Sequence, residues 1–157
     1  MVKWVAAVAA LVLMATACSS GGGTGRDGDK DANRKETVTR TAEANGITVT
    51  ATWLGGSDID SVDADLRNYP PNEFVLIELS LDTHSGDLSE IDLEREALLN
   101  QAVVDLRAEA WVGTSDDSHH RSGVLVFLRP LEDGPVELTV GIGDEEVALT
   151  WEEEPAA

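Results

Sequence analysis

Cysteine is almost absent from this chain. Its 157 residues include one cysteine, Cys18, so no disulfide can form within a single molecule. Positive charge is also scarce, because 11 lysine and arginine residues stand against 30 aspartate and glutamate residues, for a formal net charge of −19. Such a chain repels phosphate groups, which excludes nucleic acids and anionic lipid headgroups as ligands. The negative charge favours cations or basic proteins as partners. The alternative is that the acidic surface serves only to keep the protein soluble.

A long apolar run is missing as well. The uncharged stretch over residues 4–17 is too short for an ordinary membrane span. It follows Lys3 and ends in three small residues directly before Cys18. A positive residue, a short apolar run and a small-residue site form the pattern of a secretory signal peptide. Residues 1–17 are therefore predicted to be a signal peptide.

The segment that ends at Cys18 resembles the lipobox of bacterial lipoproteins. The resemblance implies that residues 1–17 are removed and that Cys18 becomes a lipidated N-terminus, carrying fatty acids such as palmitate. Two acyl chains hold a protein firmly on a bilayer. We therefore expect an extracytoplasmic protein, anchored to the cell membrane by lipid at Cys18. The alternative is an unmodified thiol that follows an apolar run by chance.

The remaining chain divides into three parts. Residues 18–35 are rich in glycine, serine and charge, which predicts a flexible tether. Residues 36–153 have the length of one domain. Residues 154–157 form a short tail.

Alternating apolar and polar residues predict strands in that domain. The predicted strands cover residues 47–53, 74–82, 103–111, 124–128, 136–142 and 147–151. Residues 89–100 are ambiguous between a helical turn and a short strand at 97–99. Short strands with turn residues between them predict an all-β fold, an antiparallel immunoglobulin-like or cupredoxin-like β-sandwich of about seven strands. The residues expected in its core are Val75, Ile77, Leu79, Leu81, Val104, Leu106, Val124, Val126, Val140 and Leu149, with Trp53, Trp111 and Trp151 as packing groups.

The three histidines lie beside two of the predicted strands. His84 follows the strand over 74–82, and His119 and His120 precede the strand over 124–128. If these strands pair antiparallel, the end of one lies beside the start of the other. The three imidazoles would then meet at one end of the sandwich, near Asp82, and Trp111 is expected to end its strand there too.

Imidazoles and a carboxylate are suitable ligands for Cu²⁺ or Zn²⁺. The sequence therefore predicts a metal site formed by His84, His119, His120 and Asp82. The alternative is that the histidines are solvated or serve only the loops. The segments over 82–88 and 119–127 also resemble a pattern found in secreted bacterial β-sandwich proteins of no assigned activity, which implies only that these two loops belong together.

Sequence patterns typical of enzymes are lacking. The acidic segment 58–65 has no glycine in the position that an EF-hand loop requires, and neither Ser85 nor Ser118 lies in a G-x-S-x-G motif. We therefore expect a non-enzymatic binding or accessory module of the cell envelope. Its leading form binds a transition metal through the loop histidines, and the alternative is a protein-interaction module with no metal site.

Overall fold

The computed structural model describes residues 39–56, 58–101, 103–130 and 134–152. The predicted signal peptide, Cys18, the tether and the tail lie outside the described residues. Nine strands make up most of the described part: β1 (Thr39–Ala44), β2 (Ile47–Trp53), β3 (Phe74–Thr83), β4 (Ala97–Gln101), β5 (Val104–Arg107), β6 (Ala110–Asp116), β7 (His120–Leu128), β8 (Val136–Ile142) and β9 (Glu145–Trp151). Two 3₁₀ turns, Ile59–Ser61 and Leu88–Glu90, and one α-helical turn, α1 (Leu93–Glu96), lie between strands.

The strands form two antiparallel sheets. One has five strands in the order β1-β2-β3-β7-β6, and the other has four in the order β5-β4-β8-β9. This arrangement confirms the predicted all-β sandwich, with nine strands in the described residues where about seven were predicted. The ambiguous segment over 89–100 contains both predicted elements, because a helical turn at α1 leads directly into β4.

Strand β1 was not predicted, because its inward-facing positions carry little apolar bulk. It pairs with β2 through a hairpin whose turn is Asn45-Gly46. Both turn residues have positive φ, 50° and 72°, as this hairpin turn requires. The Asn45 side chain also donates to the Ile142 carbonyl oxygen at 2.6 Å, so the turn contacts the opposite sheet.

The prediction of one strand over residues 103–111 was wrong. The chain leaves the four-stranded sheet after Arg107 and enters the five-stranded sheet at Ala110. Because β5 is an edge strand, its inward positions are less covered than those of a central strand. Val104 is 38 % exposed and Leu106 is only partly buried, whereas both were expected in the core.

The main core lies between the two sheets. The other eight residues predicted to be buried are buried, and Trp53 and Trp151 meet edge to face with ring centroids 5.7 Å apart. A second, smaller cluster covers the outer face of β3 and β7, where Leu76, Val124 and Val126 pack under the connection that leads from β2 to β3. Strand β7 is therefore apolar on both faces in its second half.

Candidate functional site at the histidine pole

The predicted meeting of the two histidine loops is confirmed. Strands β3 and β7 pair antiparallel, with Asp82 opposite His120. Just beyond this pair, the Thr83 amide donates to the His119 carbonyl at 3.0 Å, and the Leu88 amide donates to the Ser118 carbonyl at 2.9 Å. We call this end of the sandwich, residues 82–88 and 116–120, the histidine pole.

The connection between β6 and β7 is shorter than expected. The predicted strands over 103–111 and 124–128 left residues 112–123 outside any strand, but β6 continues to Asp116 and β7 begins at His120. The pairing shifts register between Gly113 and Ser115, which lets the polar sequence continue as a bulged strand. Only residues 117–119 remain to make the turn, so this side of the pole is tightly built.

One histidine has a specific side-chain partner. The His120 Nδ1 atom lies 2.5 Å from Asp82 Oδ1, and the Ser80 hydroxyl donates to the other oxygen of Asp82 at 3.2 Å. The His120 and Asp82 side chains are 68 % and 47 % exposed. The carboxylate therefore orients an imidazole whose Nε2 atom is the nitrogen remaining for another contact.

The other two histidines are exposed at the same pole. The His119 amide donates to Asp117 Oδ1 at 2.9 Å, so its backbone is fixed by the turn. Within the ranges that the structure describes, no group of three or more histidine, cysteine, aspartate or glutamate side chains is arranged to hold a metal ion. The structure thus brings His120 and Asp82 together and places His84 and His119 in the adjoining turns, and the metal site stays a prediction.

Carboxylates at the pole are held in their charged form. The His119 backbone amide lowers the pKa of Asp117, and the nearby histidines add to this effect. The Ser89 hydroxyl and amide lower the pKa of Asp87, whose carboxylate accepts from both groups at 2.7 and 2.9 Å. Because each carboxylate accepts hydrogen bonds that favour the ionised form, the pole keeps its negative charge near neutral pH.

Arg121 fastens the pole to the rest of the fold, and sequence reasoning did not identify this role. Its side chain is 12 % exposed, and its Nε donates to Asp116 Oδ1 at 2.9 Å. Its terminal nitrogen donates to the Leu88 carbonyl at 3.1 Å and to the Ile91 carbonyl. A partly buried arginine that binds carbonyl oxygens is a structural clamp. The only sequence signal for this role was the position of Arg121 next to the histidine pair.

The aromatic partner of this clamp lies elsewhere than expected. Trp111 was predicted to end its strand at the pole, but it sits near the start of β6, opposite Leu125. The Arg121 guanidinium lies over its ring, 5.6 Å from the centroid. The indole nitrogen is buried and has no hydrogen-bond partner among the described residues. The packing role predicted for Trp111 is therefore correct, and its position along the strand was not.

An acidic cleft adjoins the pole. It has a volume of about 380 Å³ and is open to solvent. Its lining includes the carboxylates of Asp87, Glu90, Asp92 and Glu96, with Arg95 as the one cation among its lining residues. The surface next to the histidines is therefore suited to a positively charged group and not to an anion.

Two further findings bear on the setting of the site. None of the helices in the described ranges is long and apolar enough to cross a membrane. Comparison of the chain with protein-family models, with curated proteins and with solved structures finds no match.

Proposed function

We propose that this protein is a lipid-anchored, extracytoplasmic accessory module that docks a basic partner of the cell envelope at the histidine pole. It acts by binding and carries out no chemical reaction. The lipid anchor is Cys18, and the docking surface consists of the exposed histidines and the ionised carboxylates of residues 82–88 and 116–120.

The observation that carries this proposal is how the two loops are fastened together. Backbone hydrogen bonds join Thr83 to His119 and Leu88 to Ser118, so the polar side chains stand on a fixed frame. A fixed frame supports recognition, because little conformational entropy is lost when a partner binds. Loops on a rigid scaffold are also where binding residues concentrate.

The path of the chain agrees with this arrangement. Strand β1 begins at Thr39, opposite Thr52, and ends at Ala44, beside Ile47 and one strand away from Thr83. The described domain therefore starts at the end of the sandwich opposite the histidine pole. A protein held through the segment before Thr39 can direct the pole away from its anchor.

In-cell photo-crosslinking tests the docking surface. A photoreactive amino acid at His84 should give a discrete crosslinked product, whereas the same group at Arg67 should not, because Arg67 lies on the exposed β2–β3 connection away from the pole. Equal products at both positions, or none at His84, would contradict docking at the pole. Replacing Asp87 and Asp117 with asparagine should weaken the His84 product, since a basic partner loses its counter-charges.

The anchor needs a separate test. The wild-type chain should incorporate labelled palmitate and sediment with membranes, and Cys18→Ser should do neither. A wild-type chain that takes up no label would contradict lipidation while leaving the docking test valid.

Transition-metal binding is a second candidate, favoured by the contact between His120 and Asp82. Metal-binding histidines commonly hold a carboxylate with their second ring nitrogen. In this version His120 Nε2 binds Cu²⁺ or Zn²⁺, Asp82 orients the ring, and His84 or His119 completes the site after a change in loop conformation. Titration with Cu²⁺ should show binding that His120→Ala removes and that Asp82→Asn weakens, with lower affinity in acid because a metal-binding imidazole must be deprotonated. Unchanged binding in the His84, His119 and His120 alanine variants would leave only the docking proposal.

A further inference from the structure

The sheet edges of this sandwich are not equally protected. Strands β1 and β9 are the edges on one side, and the Arg40 guanidinium of β1 donates to the Thr150 carbonyl of β9 at 2.9 Å. On the other side, the edge of β6 is blocked at Trp111, whose amide donates to the Glu94 carboxylate at 3.0 Å. Within the described ranges, β5 pairs only with β4, and its second side has no neighbouring strand. An uncovered edge of this kind is a template for pairing with another strand.

Apart from its short length and its two charged residues, β5 contains none of the usual protections against such pairing. It has no proline, glycine or lysine between Val104 and Arg107. Val103 is 90 % exposed and Val104 is 38 % exposed, and only one other large hydrophobic residue of the described chain, Leu128, is exposed. Apolar side chains are therefore exposed where β5 begins.

The charges of β5 are arranged to complement a second copy of the same strand. Val104 and Leu106 lie opposite Gln101 and Leu99, which face the core, so Asp105 and Arg107 share the outer face. In a symmetric antiparallel pair centred on Leu106, Asp105 of each copy faces Arg107 of the other. Two opposite-charge pairs form, and directly opposed charges of opposite sign stabilise such a ladder.

The same charges do not favour the other registers, in which the two-fold axis passes through a different residue of β5. Residues that face each other across an antiparallel pair lie on the same side of the sheet, so the two-fold axis must pass through a residue. An axis at Asp105 would set two aspartates against each other, which is destabilising. An axis at Arg107 would set two arginines against each other, and an axis at Val104 would form no opposite-charge pair. Of the four residues of β5, only Leu106 as the axis gives two attractive contacts.

We propose that two copies of this protein associate through their β5 edges, with the two-fold axis at Leu106. The two four-stranded sheets then continue into one sheet of eight strands. Asp105 also accepts from the side-chain amide of Asn100 at 2.6 Å, and Arg107 donates to the Arg95 carbonyl at 3.1 Å, so both side chains are already held on the outer face. The surface lies apart from the histidine pole, and the inference goes beyond the proposed function.

Charge reversal tests the register with a matched rescue. In the purified full-length chain, Asp105→Arg and Arg107→Asp should each weaken dimer formation by roughly tenfold, since two attractive contacts become repulsive. The double variant Asp105→Arg/Arg107→Asp should restore it, because opposite charges face each other again. Sedimentation equilibrium would measure each dissociation constant. A monomeric wild type, single variants that dimerise as well as wild type, or a double variant that stays weak would overturn the proposal.

Crosslinking tests the position of the axis. Leu106→Cys should form a disulfide-linked dimer under a mild metal-free oxidant, since directly opposed Cβ atoms in a ladder lie about 5 Å apart. Val103→Cys is the control, because it is more exposed but lies roughly 20 Å from its counterpart in this register. The unaltered chain reports any product from Cys18. Failure of Leu106→Cys to form a dimer, or equal dimer yields from the two positions, would overturn the proposal.

Discussion

Gly123 is the position where the addition of one carbon atom should disturb this fold most clearly. It lies in β7, between Leu79 of β3 and Gly113 of β6. A Cβ atom there would meet the Val112 carbonyl oxygen at 2.5 Å and the Trp111 ring at 2.7 Å. Contacts this short must be relieved by a shift of the β6 main chain, because β7 itself is held between β3 and β6.

The cost of Gly123→Ala follows from this geometry. Overfilling a packed core costs about 1–3 kcal/mol, and we expect the upper part of that range because main-chain atoms are involved. For a domain of this size, 1 kcal/mol lowers the melting temperature by about 4 °C. The variant should therefore melt roughly 8–12 °C below wild type. Circular dichroism would follow the unfolding, and tryptophan fluorescence should shift because the Trp111 ring is displaced.

Gly56→Ala is the matched control. A Cβ atom at Gly56 would meet no atom within 4 Å, and its φ is not positive. The substitution should be neutral or raise stability by up to about 1 kcal/mol, since alanine has fewer unfolded conformations than glycine. If Gly123→Ala melts within about 2 °C of wild type, the close packing of β6 on β7 beneath the Arg121 clamp is not present in solution.

Three more outcomes are expected. Leu79→Ala removes a fully buried side chain of β3 and should lower the free energy of unfolding by about 2–5 kcal/mol in a denaturant titration; a loss below about 1 kcal/mol would contradict its place in the core. The melting temperature should rise as salt is increased from millimolar to molar, because the chain has 30 acidic and only 11 basic residues and salt screens the repulsion between the acidic ones. A melting temperature that does not change with salt would mean that this repulsion is negligible. The lowered pKa of Asp117 stabilises the fold above the ordinary carboxylate pKa of about 4, and this contribution is lost as the pH falls through the folded-state value. The stability difference between wild type and Asp117→Asn should therefore shrink below pH 4, and a constant difference would contradict the hydrogen bond to His119.

The success of the strand predictions depended on how each strand is covered. Strands β2, β3, β8 and β9 have one face against the core, so apolar and polar residues alternate over most of their length. Strand β1 uses Arg40, Ala42 and Ala44 on its inner face, which gives little hydrophobic contrast. The segment over 103–111 alternates without a break although the chain changes sheets within it. Periodicity reports which side chains are covered and not which sheet covers them.

At the candidate site, the meeting of the loops was predictable and the contacts within them were not. The prediction assumed that β3 and β7 pair antiparallel, and this pairing alone places Asp82 beside His120. The directions of His84 and His119 depend on turns of a few residues, fixed by bonds such as that from the Thr83 amide. The Arg121 side chain binds carbonyl oxygens of the 3₁₀ turn at Leu88 and of the residue after the turn, Ile91. No spacing in the sequence predicts which carbonyl groups this arginine binds.

Pairing through β5 would change how the histidine pole is presented. The two β5 strands run in opposite directions in the proposed dimer, so the two poles point to opposite ends of the assembly. Both copies then reach the same bilayer most easily when their strands lie along its surface. If the chain is anchored at Cys18 as proposed, a single copy would hold its pole away from the membrane, whereas a dimer would present two poles parallel to the membrane.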